Sequence, residues 1–201
     1  LKPGVAYATS GPGATNLITG ICNAYFDSIP CLFITGQVNT FEAKGDYKVR
    51  QRGFQETDIV GMMKQVTKEA YYISDPIEIP NCLEKAYNVA LEGRPGPVLI
   101  DIPMDVQRAN ISEMNNEASI EKIVESKNLE KEIQILVDKI DAAKRPLILC
   151  GAGVAQSGMK KIFQLLIEKA GIPLVTSMIG IDAISHQSKY SFGFIGAYGH
   201  R

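Results

Sequence analysis

The chain has 201 residues, 45% of them hydrophobic, which is enough for one ordinary core and the beginning of a second. Its 21 basic and 22 acidic residues leave a net charge of −1, so the composition indicates neither nucleic acid nor an anionic membrane as a partner. No apolar run approaches the roughly 20 residues of a membrane span and no signal segment opens the chain, so we expect a cytoplasmic protein. The four cysteines lack C-x-x-C spacing, which favours buried free thiols over a metal site.

The first structural unit is predicted from residues 4–27, GVAYATSGPGATNLITGICNAYFD. They indicate a buried strand over 5–9, a tight turn over 10–13 and a helix that opens at 14–16. Parallel α/β sheets bind ligands at the carboxyl ends of their strands, so this turn is a candidate ligand site. Gly11 and Gly13 permit a close backbone approach, whereas Pro12 removes one N–H donor. No Gly-Lys-Ser/Thr follows and Asn16 ends the G-x-G-x-x pattern, so a phosphate cradle is disfavoured; a plain helix-entry turn stays the alternative.

The rest of the chain alternates between strands and helices. Strands are predicted over 31–35, 66–73 and 98–102, with helical segments over 57–63 and 77–91. This alternation favours an α/β fold with a doubly wound parallel sheet over residues 1–108. The composition then turns polar, which predicts a linker over 109–128. A second α/β unit over 129–201 follows, with helices 130–143 and 157–170, strands 146–150 and 173–176, and a tail.

Four segments in order resemble the pyrimidine-binding domain of thiamine-diphosphate enzymes of the acetolactate synthase large-subunit type. They are TSGPGATN (9–16), DSIPCLFITGQV (27–38), GFQETDIVG (53–61) and GRPGPVLIDIPMDV (93–106). KRPLILCGAGV (144–154) and residues 193–199 are similar to the start of the central domain of the same enzymes. The resemblance therefore covers nearly the whole chain. It implies most of a pyrimidine-binding domain, without its first elements, followed by the first part of a central domain.

The resemblance implies thiamine diphosphate as the cofactor, an electron sink that the protein positions. Its pyrimidine end is expected to contact Thr9, Pro12, Gly13 and Asn16, while Gln55 reaches the reacting side as the catalytic residue of this chain. In the family a glutamate on an earlier segment activates the cofactor, and a third domain holds the diphosphate and Mg²⁺. Neither is found here, so we expect part of a longer protein that alone is inactive and binds the cofactor weakly.

Three features of the sequence are candidates for substrate contacts, and two of them differ from the usual acetolactate synthase pattern. Acetolactate synthases usually carry lysine where this chain has Met104, which replaces a cation near the channel mouth with an apolar group. The loop before Phe54 is longer than usual and carries Arg50 and Arg52. That arginine pair is a candidate clamp for a carboxylate or phosphate, with a solvated surface loop as the alternative. Phe54 is either a substrate wall or a core residue.

The resemblance leaves flavin binding open. Arg94 matches a family arginine near FAD, with a helix C-terminal cation as the alternative. The turn of Gly151, Ala152 and Gly153 matches a central-domain turn that approaches FAD. Where the family reads Gly-Met-His-Gly, however, this chain reads GAYG over 196–199.

The implied reaction is decarboxylation of a 2-oxo acid such as pyruvate and transfer of the remaining fragment to a second carbonyl compound. Such a transferase acts in branched-chain amino acid biosynthesis and forms at least a homodimer, or a tetramer. Glyoxylate carboligase, sulfoacetaldehyde or oxalyl-CoA enzymes and pyruvate oxidase are alternatives within the family. A non-catalytic module that kept the fold is the alternative from another class.

Overall fold

The computed structural model describes residues 2–110 and 129–199. Contacts divide the chain into two compact units, Leu1–Ile123 and Val124–Arg201. The predicted linker lies outside the described residues except for its first two positions, so the boundaries at 108 and 129 stay predictions.

The first unit is built on a four-stranded parallel sheet with the strand order β1-β2-β4-β3. The strands are β1 Gly4–Ala8, β2 Cys31–Gln37, β3 Glu69–Tyr72 and β4 Pro97–Pro103. All seven residues of β4 are buried, because this strand has a neighbour on each side and packed side chains on both faces. β1 is an edge strand, and Tyr7 on it is 84% exposed.

Helices cover both faces of this sheet. They are α1 Pro12–Asn16, α2 Ile18–Phe26, α3 Ile59–Met63, α4 Ile79–Leu91 and α5 Met104–Arg108. On one face, Ala86 and Ala90 of α4 pack with Val98 and Ile100 of β4. On the other, Ile21 of α2 and Ile59 of α3 pack with Phe33 and Leu99. Each buried isoleucine contributes about 1.5–3 kcal/mol relative to an exposed one. The predicted doubly wound α/β fold is confirmed.

The second unit contains a three-stranded parallel sheet with the order β5-β6-β7. Its elements are α6 Leu129–Ala142, β5 Ile148–Cys150, α7 Gly153–Gln156, α8 Lys160–Ala170, β6 Leu174–Thr176 and β7 Ser191–Phe194. Ile167 of α8 packs on Cys150 and Leu174 in the core. Among the described residues, no helix is both long and apolar enough to cross a membrane.

One prediction for this unit is wrong, and a second is correct except for its starting residue. The unit does not end in two strands and a tail, because Ser191–Phe194 pairs with β6 as a third strand. Its register with β6 is irregular and its Gly193 has a φ of 87°, so the strand lacks the regular alternation that predicts strands. The helix predicted over 157–170 begins only at Lys160, since Gly158 adopts a φ of 73° just before α8. The four cysteines are free, as predicted, but only Cys150 is fully buried.

Candidate functional site

The turn after β1 packs directly on a second turn, which lies 40 residues further along. We call residues 10–13 the glycine turn and residues 53–57 the Gln55 turn. Gly11 is buried and has φ 61° and ψ −123°, a conformation open essentially to glycine alone. A Cβ at this position would lie 2.7 Å from Gln55 Cβ and 2.9 Å from the Gln55 carbonyl oxygen. The structure therefore brings together the two turns that were singled out separately in the sequence.

Gln55 has a left-handed backbone with φ 62°, which is unusual for a residue with a side chain. This conformation costs roughly 1–2 kcal/mol relative to a right-handed one. The turn is closed by the Glu56 N–H, which donates to the Gly53 carbonyl at 3.2 Å. Strain of this kind persists where the surroundings enforce it, and such positions concentrate at functional sites.

Four polar side chains around the two turns make no hydrogen bond with the described residues. They belong to Thr9, Ser10, Asn16 and Gln55. Thr9 lies beside Gly13, whose added Cβ would be 2.7 Å from Thr9 Cγ2. Residues 9–16 include no lysine or arginine, and Pro12 has no N–H to offer. The arrangement therefore presents neutral donors and acceptors, which suit an uncharged heteroaromatic ring better than a phosphate.

A buried polar network lies behind the Gln55 turn. Asp101 of β4 is 1% exposed, and its carboxylate accepts from Thr35 Oγ1 at 2.6 Å and from Gln37 Nε2 at 3.0 Å. Gln37 Nε2 also donates to the Thr57 carbonyl at 2.7 Å, which links the strand to the turn. Burial raises the pKa of Asp101 to about 6 against the opposing effect of the two hydrogen bonds, and the nearby Asp58 adds to the rise.

The Gln55 turn is also tied to the basic loop before it. The Glu56 carboxylate accepts from the backbone N–H of Lys44 at 2.6 Å and of Arg52 at 2.7 Å. Burial acts to raise the pKa of Glu56, but these bonds and the neighbouring backbone lower it overall. The Arg52 guanidinium donates to the Phe41 carbonyl at 2.9 Å and lies over the Tyr47 ring. Arg52 therefore braces its own loop.

Arg50 occupies a different position from Arg52. Together with Lys44, Gln37, Tyr72 and Asp101 it lines a pocket of about 330 Å³ at the carboxyl ends of the strands.

The two apolar substrate candidates also follow this edge of the sheet. Phe54 is 83% exposed beside Gln55, so it is not a core residue. Met104 opens α5 directly after β4 and is partly exposed.

Arg94 lies at the opposite end of the sheet, because it precedes the amino end of β4. Its Nε donates to Ser28 Oγ at 2.6 Å. With Tyr25, Phe26 and Lys68 it lines a second pocket, of about 340 Å³. Within the first unit, Arg94 is therefore separated from the glycine turn by the length of the strands.

The second unit has its own polar cluster at the carboxyl ends of its strands. Gly151 follows β5, and an added Cβ there would lie 3.8 Å from Ser177 Oγ, which follows β6. Thr176, 3% exposed, and Ser177 have buried hydroxyls with no hydrogen-bond partner in the part of the chain that the structure describes. Buried hydroxyls without partners are uncommon in folded proteins, and a bound ligand or an ordered water would account for these two.

The comparisons with known proteins match both units. Residues 1–62 match the family model "Thiamine pyrophosphate enzyme, N-terminal TPP binding domain", and residues 133–201 match "Thiamine pyrophosphate enzyme, central domain". The chain belongs to the thiamine pyrophosphate enzymes. The glycine turn and the Gln55 turn lie inside the stretch that matches the TPP binding domain, and the Gly151 turn and Thr176 lie inside the central-domain match.

Curated thiamine pyrophosphate enzymes are similar along nearly the whole chain. The large subunit of acetolactate synthase from Lactococcus lactis is 38% identical over 200 residues, 98% of this chain and 34% of its own length. Acetolactate synthase from Arthrospira platensis is 37% identical, with 98% of this chain and 34% of that protein covered. The large subunit from Corynebacterium glutamicum is 36% identical, with 98% and 31% covered. The chain thus spans about a third of the length of these relatives.

Metal binding finds no set of ligands among the described residues. Within residues 2–110 and 129–199, no three His, Cys, Asp or Glu side chains are grouped to hold a metal ion. We therefore assign no step of the reaction to Mg²⁺ held by these residues.

Proposed function

We propose that the whole protein is a thiamine-diphosphate-dependent acetolactate synthase. It decarboxylates pyruvate and joins the remaining two-carbon fragment to a second 2-oxo acid. The names of its relatives support this reaction, and they do not favour the glyoxylate, sulfoacetaldehyde, oxalyl-CoA or oxidase alternatives. The observation that carries the proposal is the packing of Gly11 on Gln55, which gathers unpartnered neutral side chains at the carboxyl end of the sheet.

The cofactor, when bound, supplies the electron sink for carbon–carbon bond cleavage, and the chain supplies the positioning. Thr9 and Asn16 offer a hydroxyl and an amide to the edge of the pyrimidine ring. Pro12 and Gly13 let the ring approach the backbone, since neither carries a long side chain. The Gln55 amide stays neutral and offers both a donor and an acceptor to the reacting groups, so it orients them without adding charge.

We also propose that the protein is a homo-oligomer, at least a dimer, in the cytoplasm. Val5 and Tyr7 are exposed on the edge strand β1, and an apolar edge of this kind favours burial by another chain or segment. The four free thiols suit a reducing compartment.

An assay of product and gas tests the function. The whole protein, incubated with thiamine diphosphate, Mg²⁺ and pyruvate, is expected to form acetolactate and to release one CO₂ for each acetolactate. Omitting thiamine diphosphate is expected to abolish both products. Release of CO₂ with free acetaldehyde or acetate as the product would contradict the carboligation.

We extend the proposal to Arg50 as a contact for acceptors that carry an additional anionic group. Arg50→Gln is expected to raise KM for a 2-oxo acid with a second carboxylate about fivefold, roughly 1 kcal/mol, and to spare pyruvate. Arg52→Gln is the matched control, because the Arg52 guanidinium is used by the carbonyls of its own loop. It is expected to change KM for both acids alike. An equal effect of Arg50→Gln on both acids would make residues 44–52 a solvated surface loop.

We propose that the second unit binds FAD at the Gly151 turn. The unpartnered hydroxyls of Thr176 and Ser177 support this assignment, because a nucleotide offers the acceptors that they lack. Gly151, Ala152 and Gly153 leave the adjoining backbone uncovered by large side chains. Within the first unit we propose a separate flavin contact for Arg94, because its pocket combines a guanidinium with the aromatic rings of Tyr25 and Phe26.

The flavin proposal predicts that one substitution, Thr176→Val, stabilises the protein and weakens FAD binding. Thr176→Val keeps the volume and removes an unpartnered buried hydroxyl. It is expected to raise the free energy of unfolding of the flavin-free protein by about 1 kcal/mol and to weaken FAD binding, measured by flavin fluorescence. Thr67→Val is the matched control, because the buried Thr67 hydroxyl donates to the Met63 carbonyl at 2.8 Å, so its loss should destabilise the protein. Unchanged FAD affinity in Thr176→Val would contradict the proposal.

A further inference from the structure

Gln37 is the only bridge of side-chain hydrogen bonds that the described residues show between β4 and the Gln55 turn. Both hydrogens of its amide nitrogen are used, one by Asp101 and one by the Thr57 carbonyl. Its amide oxygen accepts from the Val38 N–H at 3.0 Å, so the side chain is held in one orientation. By accepting a hydrogen bond from Gln37 Nε2, Asp101 thus favours the orientation of the Gln37 amide in which the same nitrogen donates to the Gln55 turn.

We propose that Asp101 is a positioning residue for Gln55, acting through the Gln37 amide and the Thr57 carbonyl. The proposal rests on the function proposed above only for the role of Gln55 in the reaction. The strained backbone of Gln55 persists only if its surroundings hold it. The hydrogen bond from Gln37 to the Thr57 carbonyl, two residues further along the chain, is one such restraint. A charged acceptor binds the Gln37 amide more strongly than a neutral one, so the ionised carboxylate holds the turn most firmly.

Several charged or titratable groups face this carboxylate. Asp58 is at the start of α3, and Tyr72 is the β3 residue in register with Asp101. From the loop before the Gln55 turn, Lys44, Arg50 and Glu56 line the same open pocket. Because the pocket is open to solvent, protons can reach the buried carboxyl without unfolding. The burial that raises the pKa of Asp101 to about 6 makes the ionised form available at neutral pH and lost as the pH falls below that value.

Hydrogen exchange of the whole protein, with no cofactor added, tests the link. The readout is protection of the Glu56 amide, which closes the turn on the Gly53 carbonyl. Asp101→Asn keeps the shape and mimics the protonated acid, and we expect it to reduce this protection about fivefold at pH 7.5. Asp105→Asn is the matched control, because Asp105 accepts from the Thr40 N–H and hydroxyl at the same edge without touching the turn. It should leave Glu56 protected.

Three further measurements separate positioning from a merely structural role. In the wild type the protection, corrected for intrinsic exchange, is expected to fall below pH 6, whereas Asp101→Asn should show no such step. In a Gln37→Met background, Asp101→Asn should have no additional effect. In the whole enzyme, kcat of Asp101→Asn should fall about fivefold at pH 7.5, while its unfolding midpoint in urea does not fall.

The outcomes distinguish this inference from the proposed function. Equal protection of Glu56 in the wild type and Asp101→Asn, or additive effects with Gln37→Met, would overturn the positioning role. A loosened turn with unchanged kcat would overturn it too. A wild-type enzyme that forms no acetolactate would overturn the proposed function, and hydrogen exchange would still decide the link between Asp101 and the Gln55 turn.

Discussion

Replacing Gly11 with alanine is expected to lower the free energy of unfolding by about 3 kcal/mol and to remove thiamine diphosphate binding by the whole protein. Two independent costs contribute. Alanine is strained at a φ of 61° and ψ of −123°, which costs about 1–3 kcal/mol. Its Cβ would also lie 2.7 Å from Gln55 Cβ, so one of the two turns must move, at a cost of about 1–3 kcal/mol.

Urea unfolding of the whole protein measures the stability change. Gly20→Ala is the control, because Gly20 lies inside α2 and an added Cβ has no other atom within 4 Å. That variant is expected to stabilise the protein by roughly 0.5–1 kcal/mol through helix propensity. If Gly11→Ala and Gly20→Ala have the same stability, the contact between the glycine turn and the Gln55 turn does not exist in solution.

The sheet of the first unit was predictable because its strongest signals are local. Residues 98–102 are a continuous run in which only Asp101 is polar, and the run became the central strand with both faces covered. Boundaries were less predictable. The helical segment that follows Gly11 begins at Pro12, inside the glycine turn, where a missing N–H costs nothing, and it is divided at Leu17 into α1 and α2. No spacing of apolar residues encodes such a division.

In the candidate site, each turn was predictable but their meeting was not. Glycine and proline mark the turn at residues 10–13 by local chemistry, whereas its contact with Gln55 depends on how strands order themselves in the sheet. The network behind the turn was missed altogether. Its one signal was Asp101, a carboxylate inside an apolar strand, which requires a partner. The partner, Thr35, stands beside it in register on β2, and only the strand order shows that.

Removing the Gln55 amide is expected to slow the reaction without preventing cofactor binding. In the whole enzyme, Gln55→Ala should lower turnover at least tenfold, about 1.4 kcal/mol in the transition state, and leave thiamine diphosphate affinity within a few fold. The reason is that its amide is proposed to act on the reacting groups, whereas Thr9 and Asn16 hold the ring. Unchanged turnover would make the proposed role of Gln55 wrong.

Gln55→Gly distinguishes the side chain from the backbone that carries it. It removes the same amide, so turnover should fall as far as in Gln55→Ala. Glycine, however, adopts a φ of 62° without the penalty that alanine retains. Glycine also makes the unfolded chain more flexible, which removes part of this gain. We therefore expect the free energy of unfolding of Gln55→Gly to be roughly 1 kcal/mol higher than that of Gln55→Ala. Urea unfolding of the two variants measures this difference directly. Equal free energies of unfolding for the two variants would mean that the left-handed backbone at residue 55 is not strained in the folded protein.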